Sequence, residues 1–241
     1  MSDADDPQRR ALMREAACVA GAWAASGALP VLAAAPGPAR RYARSLLVGK
    51  FGDPVRASSL PAGVAQLFNY PFVASPVFLL ALDRSVDPVE VATKDQQRYA
   101  APAGVGPRRS IVAFSAICAH KLMYPTKQIS FIGVRKGFTG EPAQVIHCCG
   151  DDSRYDPAQG ARVISGPAPQ PLAAVLLEWE SATDRLYAVG TQGGEMFPAF
   201  FEKYDFRLQT ELGARARAPV DATTVVLPAT DYSRQWQSCR A

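Results

Sequence analysis

Ile111-Val-Ala-Phe-Ser-Ala-Ile-Cys118-Ala-His120 and Cys148-Cys149-Gly150-Asp151-Asp152-Ser153-Arg154-Tyr155-Asp156 are the stretches whose reading decides the fold. The first opens as a continuous apolar run, the pattern of a strand buried on both faces, and ends in a cysteine and a histidine. The second opens on two cysteines and passes through two acids. Thiolate, imidazole and carboxylate are metal donors, so the two stretches read as two ligand loops, each attached to a strand. Around them the chain breaks into short strand-like runs: 64–69, 77–82, 111–116, 144–147, 162–165, 174–180 and 186–189. Ser181-Ala-Thr-Asp184 reads as the turn of a hairpin joining the last two. With 20 prolines and 18 glycines, many short strands and turns are favoured over long helices, and an apolar content of 48% supplies a real core. An all-β antiparallel sandwich or small barrel follows, with the ligand loops at one tip.

The ordered set Cys118-Ala-His120, Cys148, Ser153-Arg-Tyr155-Asp156, Gly160 and Gly166-Pro167-Ala-Pro169 resembles a Rieske iron–sulfur domain. The resemblance spans roughly residues 50 to 195, and the linked set is far more specific than a lone Cys-x-His. The Gly166–Pro169 loop is similar to the proline loop over the cluster in Rieske subunits of quinol–cytochrome c oxidoreductases. Asn69-Tyr70-Pro71, Gly104–Pro107 and Leu176–Trp179 are more like the small subunit of arsenite oxidase. The resemblance implies a [2Fe–2S] cluster with Cys118 and Cys148 on one iron and His120 on the other. It also implies that Ser153 and Tyr155 donate hydroxyl hydrogen bonds to the cluster sulfurs, and that Gly166 and Pro167 cover it.

Two departures stand out. The family's fourth ligand is a histidine, and here that position is Asp151. Three readings stay open: Asp151 ligates as a hard anionic donor; His147 or Cys149 substitutes; or the site holds no cluster. His147 is disfavoured because successive strand residues face opposite sides. The family also carries a disulfide between the two ligand loops, and the matching positions are Met123 and Gly150, so that bond cannot form. Of the five cysteines, Cys18, Cys149 and Cys239 are scattered outside the ligand set, which argues against a disulfide framework.

The ends carry their own signals. Residues 1–38 read as a twin-arginine-type export signal or retained membrane-anchor helix: Arg9-Arg10, then an uncharged Ala/Gly-rich segment from Ala16 to Ala35. Residues 39–56, with Arg40, Arg41 and Arg44, read as a basic linker, 57–199 as the ligand-bearing domain and 200–241 as an extension. Within the domain, 83–104 is a polar insertion, and Lys121–Val145 holds a hairpin arm around 128–134. The extension offers one strand near Thr223–Leu227; it either contacts a partner or straps the domain's own sheet.

The function implied is a non-catalytic electron-transfer subunit of a respiratory oxidoreductase, passing single electrons to or from a cytochrome or quinone. The alternative is a cluster-free structural subunit. The expected partners are a larger redox subunit, of molybdopterin oxidoreductase, hydrogenase or cytochrome bc type, and a cytochrome. The expected location is the periplasmic face of a bacterial inner membrane. Only two histidines are present. A Rieske-type oxygenase, which needs a second iron site with two histidines and a carboxylate, therefore cannot be built. No G-x-S-x-G elbow supports a hydrolase. A net charge of +4, with no basic block interleaved with aromatics, gives no case for nucleic acid.

Overall fold

The structure, a computed structural model, describes residues 39–239. Its strands run β1 (Ala39–Val48), β2 (Gln66–Asn69), β3 (Pro76–Ala81), β4 (Val89–Ala92), β5 (Arg98–Ala101), β6 (Ile111–Ser115), β7 (Ile129–Ser130), β8 (Ile132–Lys136), β9 (Gln144–Cys148), β10 (Ser153–Asp156), β11 (Arg162–Ser165), β12 (Ala174–Glu180) and β13 (Arg185–Gln192). Two helices follow, α1 (Phe197–Lys203) and α2 (Asp205–Leu212), then β14 (Thr223–Val225), β15 (Leu227–Pro228), α3 (Ala229–Tyr232) and β16 (Gln235–Trp236).

Eight strands form one sheet in the order β14-β1-β13-β12-β6-β3-β2-β15, and four form a second in the order β11-β10-β9-β8. The large sheet curls until its β14 edge reaches β2, one strand in from the other edge: Thr224 on β14 donates its hydroxyl to the Asn69 carbonyl on β2, at 2.9 Å. The architecture is therefore the expected all-β one, a nearly closed barrel with a smaller sheet packed on its outside.

The apolar runs explain this layering. On β3, Val77, Leu79 and Ala81 join the barrel interior with Ile111, Ala113, Leu186 and Ala188. The alternate residues Phe78 and Leu80 face outward with Val112 and Phe114, where they meet Ile132, Ile146 and Tyr155 of the small sheet. A strand buried on both faces has no polar face to show, which is why these segments lack alternation. Phe78 is fully buried at that inter-sheet seam. Phe78→Ala is expected to cost about 3–5 kcal/mol through the cavity it leaves, read as a shift of the urea midpoint at constant m-value.

Several segments differ from their sequence reading. The stretch 39–48, read as part of a linker, is β1, paired antiparallel with β13 and parallel with β14. Its arginines point outward while Ser45, Leu47 and Val48 are buried. Arg44 lies 3.3 Å from the Tyr187 ring centroid and bonds Glu178 at 2.7 Å, so its charge marks a solvated strand face rather than a hinge. The polar insertion holds a hairpin, β4–β5. The arm around 128–134 is not a hairpin of its own: β8 pairs with β9 and β7 pairs with β16. The C-terminal extension straps its own domain through β14, β15 and β16. The expected N-terminal helix and its twin-arginine segment lie outside the described residues. Among the described residues no helix is long and apolar enough to cross a membrane.

Candidate metal centre

β6 delivers the first ligand loop. Past Ser115 the chain turns tightly: the Cys118 amide donates to the Met123 carbonyl at 2.9 Å, and Leu122 closes back on the Cys118 carbonyl at 3.1 Å. Ile117 and Leu122 brace this turn from below by packing on Phe197, Phe200 and Phe201 of α1. The extension thus holds the first loop as well as the sheet edge.

β9 and β10 deliver the second loop. They pair antiparallel, with Cys148 opposite Ser153 and Ile146 opposite Tyr155. Period-2 alternation then puts Cys148, Ser153 and Tyr155 on the inner face, and His147 and Arg154 on the outer one. The two loops touch where the sequence places its missing loop–loop bond. A Cβ on Gly150 would lie 2.9 Å from Met123 Cγ.

The donor atoms of Cys118, Cys148 and Asp151 lie within 4.8 Å of one another. His120 Nδ1 is 2.9 Å from Asp151 Oδ2 and Cys118 Sγ is 3.4 Å from the same oxygen. Both cysteines are fully buried. The Asp151 side chain is 1% exposed and His120 39%, so the imidazole alone reaches solvent. Thiol stands beside thiol and imidazole beside carboxylate, and the residues come from segments far apart in the chain.

The electrostatics follow from these contacts. The Cys148 thiol donates to the Cys118 sulfur, which lowers the Cys118 pKa against the effect of burial. Cys148 is correspondingly pushed up, first by that same bond and then by burial. Burial would raise Asp151, but the Ser153 amide and the two thiols outweigh it and hold the carboxyl below its ordinary value. Tyr155, fully buried, is raised by desolvation and then by Cys118. Its hydroxyl oxygen accepts the Ala119 amide at 3.3 Å, leaving its hydrogen for Cys118 Sγ at 3.4 Å.

Ser153 is also buried, and its hydroxyl oxygen accepts the Ala168 amide at 3.1 Å, which ties the loop 166–169 to the second ligand turn. Gly166 has φ +90°, and a Cβ there would come within 2.5 Å of the Asp152 carbonyl oxygen. Only glycine fits that approach. Pro167, next in the loop, is exposed.

His147 and Cys149 are both engaged elsewhere. His147 Nδ1 accepts from Arg135 Nε at 2.9 Å and Nε2 faces Asp152 Oδ1 at 2.6 Å. Burial lowers its pKa, against the pull of Asp152. Cys149 is disulfide-bonded to Cys239 across 90 residues, so the reading of these two as scattered cysteines is corrected. With three cysteines left outside the ligand set, no parity or spacing in the sequence pointed to this pairing.

On the outer face Glu141 binds Arg135 at 2.6 and 2.9 Å and Arg154 at 3.1 Å. Arg135 chiefly holds the Glu141 carboxyl down to about 2. A depressed carboxylate stabilises the fold above its ordinary pKa and loses that contribution as pH falls. The stability difference between wild type and Glu141→Gln should therefore be full above about pH 4.5 and vanish towards pH 2. Thermal midpoints measured across that window check this.

These two sheets, with the ligand loops at one tip, are the architecture that the sequence resemblance implies. No family model matches the chain. Among solved structures, the chain is similar to the soluble domain of the Rieske protein II (soxF) from Sulfolobus acidocaldarius. They share 27% identity over 64% of this chain and 82% of that one, with a TM-score of 0.45.

Proposed function

We propose that this protein is an electron carrier whose tip holds a Rieske-type [2Fe–2S] cluster, with Cys118 and Cys148 as thiolate donors and His120 and Asp151 as the second pair. The observation that carries this reading is the donor grouping itself: two buried thiols and a buried carboxylate within 4.8 Å of one another, with His120 Nδ1 at 2.9 Å from that carboxylate. Soft thiolate with imidazole and a hard carboxylate suits iron–sulfur ligation with one histidine replaced. When bound, such a cluster takes up and gives back one electron.

The chain's own residues supply position and tuning. Cys118 and Cys148 hold the buried side in a dry, apolar shell. Tyr155 donates to the Cys118 sulfur and stabilises added negative charge there, which raises the reduction potential. Asp151 brings a fixed negative charge where an imidazole is usual, which lowers it. His120, at the solvent edge, is the route by which a partner approaches. We further propose a larger redox subunit and a cytochrome as partners, and export by the twin-arginine route to the periplasmic face of the membrane, on the strength of the N-terminal sequence.

A cluster-free subunit is the second reading. It is favoured by one observation: Asp151 satisfies itself within the protein, accepting from the Ser153 amide at 3.0 Å and facing His120. Iron analysis and EPR of the dithionite-reduced protein separate the two. About two irons per chain with a [2Fe–2S] signal support the carrier. Anaerobically prepared protein with no iron and no signal supports the cluster-free subunit.

A further inference from the structure

On the outer face of β8, β9 and β10, a closed circuit of side chains ends at the ligand turn. Arg135 Nε–H donates to His147 Nδ1 at 2.9 Å, which fixes the proton on Nε2. That Nε2–H donates to Asp152 Oδ1 at 2.6 Å. Arg154 bonds both oxygens of Asp152, at 3.1 and 3.2 Å, and Glu141 at 3.1 Å, and Glu141 returns to Arg135. His147 is 1% exposed, Glu141 14%, Arg135 19% and Arg154 22%, so the bonds around Glu141 and His147 are sheltered and charge-assisted, while the Asp152 carboxylate, 64% exposed, holds its end of the circuit at the solvent edge.

Asp152 is the only member of the circuit in the turn between β9 and β10. Its backbone is left-handed, φ +58°, a conformation that costs a non-glycine residue. Its carboxylate is anchored on the outer face, while that of its neighbour Asp151 enters the donor set on the inner face. The circuit therefore works against the strain that would let the turn relax.

We propose that Asp152 is a positioning residue: anchored by His147 and Arg154, it keeps the turn left-handed and so aims the Asp151 carboxylate at Cys118 and His120. This rests on the donor-set reading above, and the experiment keeps the two apart. Asp152→Gly removes the carboxylate and leaves a residue at ease with positive φ, so it withdraws the anchor without adding strain. Asp152→Asn keeps an acceptor for His147 but loses the charge that faces Arg154. His147→Gln withdraws the Nε2–H donor from outside the turn.

In metal-free protein, hydrogen exchange at the Ser153 amide, which donates to Asp151 Oδ1, reports where Asp151 points. It is referenced to amides of β3, so that global destabilisation divides out. The expected result is exchange at Ser153 faster by about tenfold in Asp152→Gly and His147→Gln, with Asp152→Asn between them and wild type. In loaded protein the same variants should shift the EPR g-values and the midpoint potential at unchanged iron content. Wild-type exchange at Ser153 in both Asp152→Gly and His147→Gln, or g-values and potential identical to wild type in iron-loaded variants, would overturn the proposal. If wild type binds no iron, the donor-set reading fails, and the Ser153 exchange alone decides the role of Asp152.

Discussion

Cys148→Ala should drop the iron content from about two atoms per chain to near zero and abolish the reduced-state EPR signal. Cys148 is fully buried at the end of β9, with its free thiol beside that of Cys118, and among the described residues no other free cysteine lies near enough to replace it. The fold should survive, because β9 keeps its ladders to β8 and β10. Far-UV circular dichroism unchanged beside an empty iron assay is the expected pair of results. Asp151→His is the companion experiment. It exchanges a carboxylate for a neutral imidazole, removing negative charge from the cluster, so the midpoint potential should rise by on the order of 100 mV or more. It should also add a second imidazole proton to the pH dependence of that potential. A redox titration at several pH values reads both. An unchanged potential in a fully loaded variant would take Asp151 off the iron.

Breaking the disulfide should have the largest effect on stability. Cys149 and Cys239 close a covalent loop with a sequence separation of 90. Loop-closure entropy for that length amounts to about 4–5 kcal/mol, an upper figure because the unfolded chain is not ideal. The strap it fastens is otherwise held lightly: β16 pairs over Gln235–Trp236 only, with Trp236 packed on Gly133 and donating its indole N–H to the Ala229 carbonyl at 2.8 Å. Cys239→Ser, or a dithiol reductant, should lower the thermal midpoint by several degrees. Proteolysis should then begin beyond Ser233. An unshifted midpoint on reduction would mean that the strap holds by packing alone.

The parts of this molecule that were legible in sequence share a cause. β3 and β6 are buried on both faces, so their unbroken apolar runs announce them. The two loops were legible because Cys118, His120, Cys148, Ser153 and Tyr155 stand at the offsets that the sequence resemblance implies, and the structure brings Cys118, Cys148 and Asp151 together there. What hid β1 was its chemistry: its outward face is arginine, and a charged alternation reads as linker until a partner strand is known. β4 and β5 are only four residues each inside a polar stretch, and β7 pairs with a strand more than a hundred residues away, so neither leaves a clear local pattern. The circuit around His147 is a property of three adjacent strands. No spacing along the chain encodes that Arg135, Glu141, His147, Asp152 and Arg154 meet.

If the tip holds the proposed cluster, the neighbouring cysteines 148 and 149 also set an order of assembly. Only one of them can pair with Cys239, and the Cys118 and Cys148 thiols already touch. Exposed to an oxidant while its thiols are free, the chain can close Cys118 on Cys148, or Cys148 on Cys239, and either bond removes a metal donor. Metal bound first in a reducing compartment protects both donors and leaves Cys149 as the partner for the tail. Oxidation then becomes the closing step of maturation, and a chain oxidised too early is locked out of the metal-bearing form. This is the sequence of events that the proposed export in the folded state would enforce.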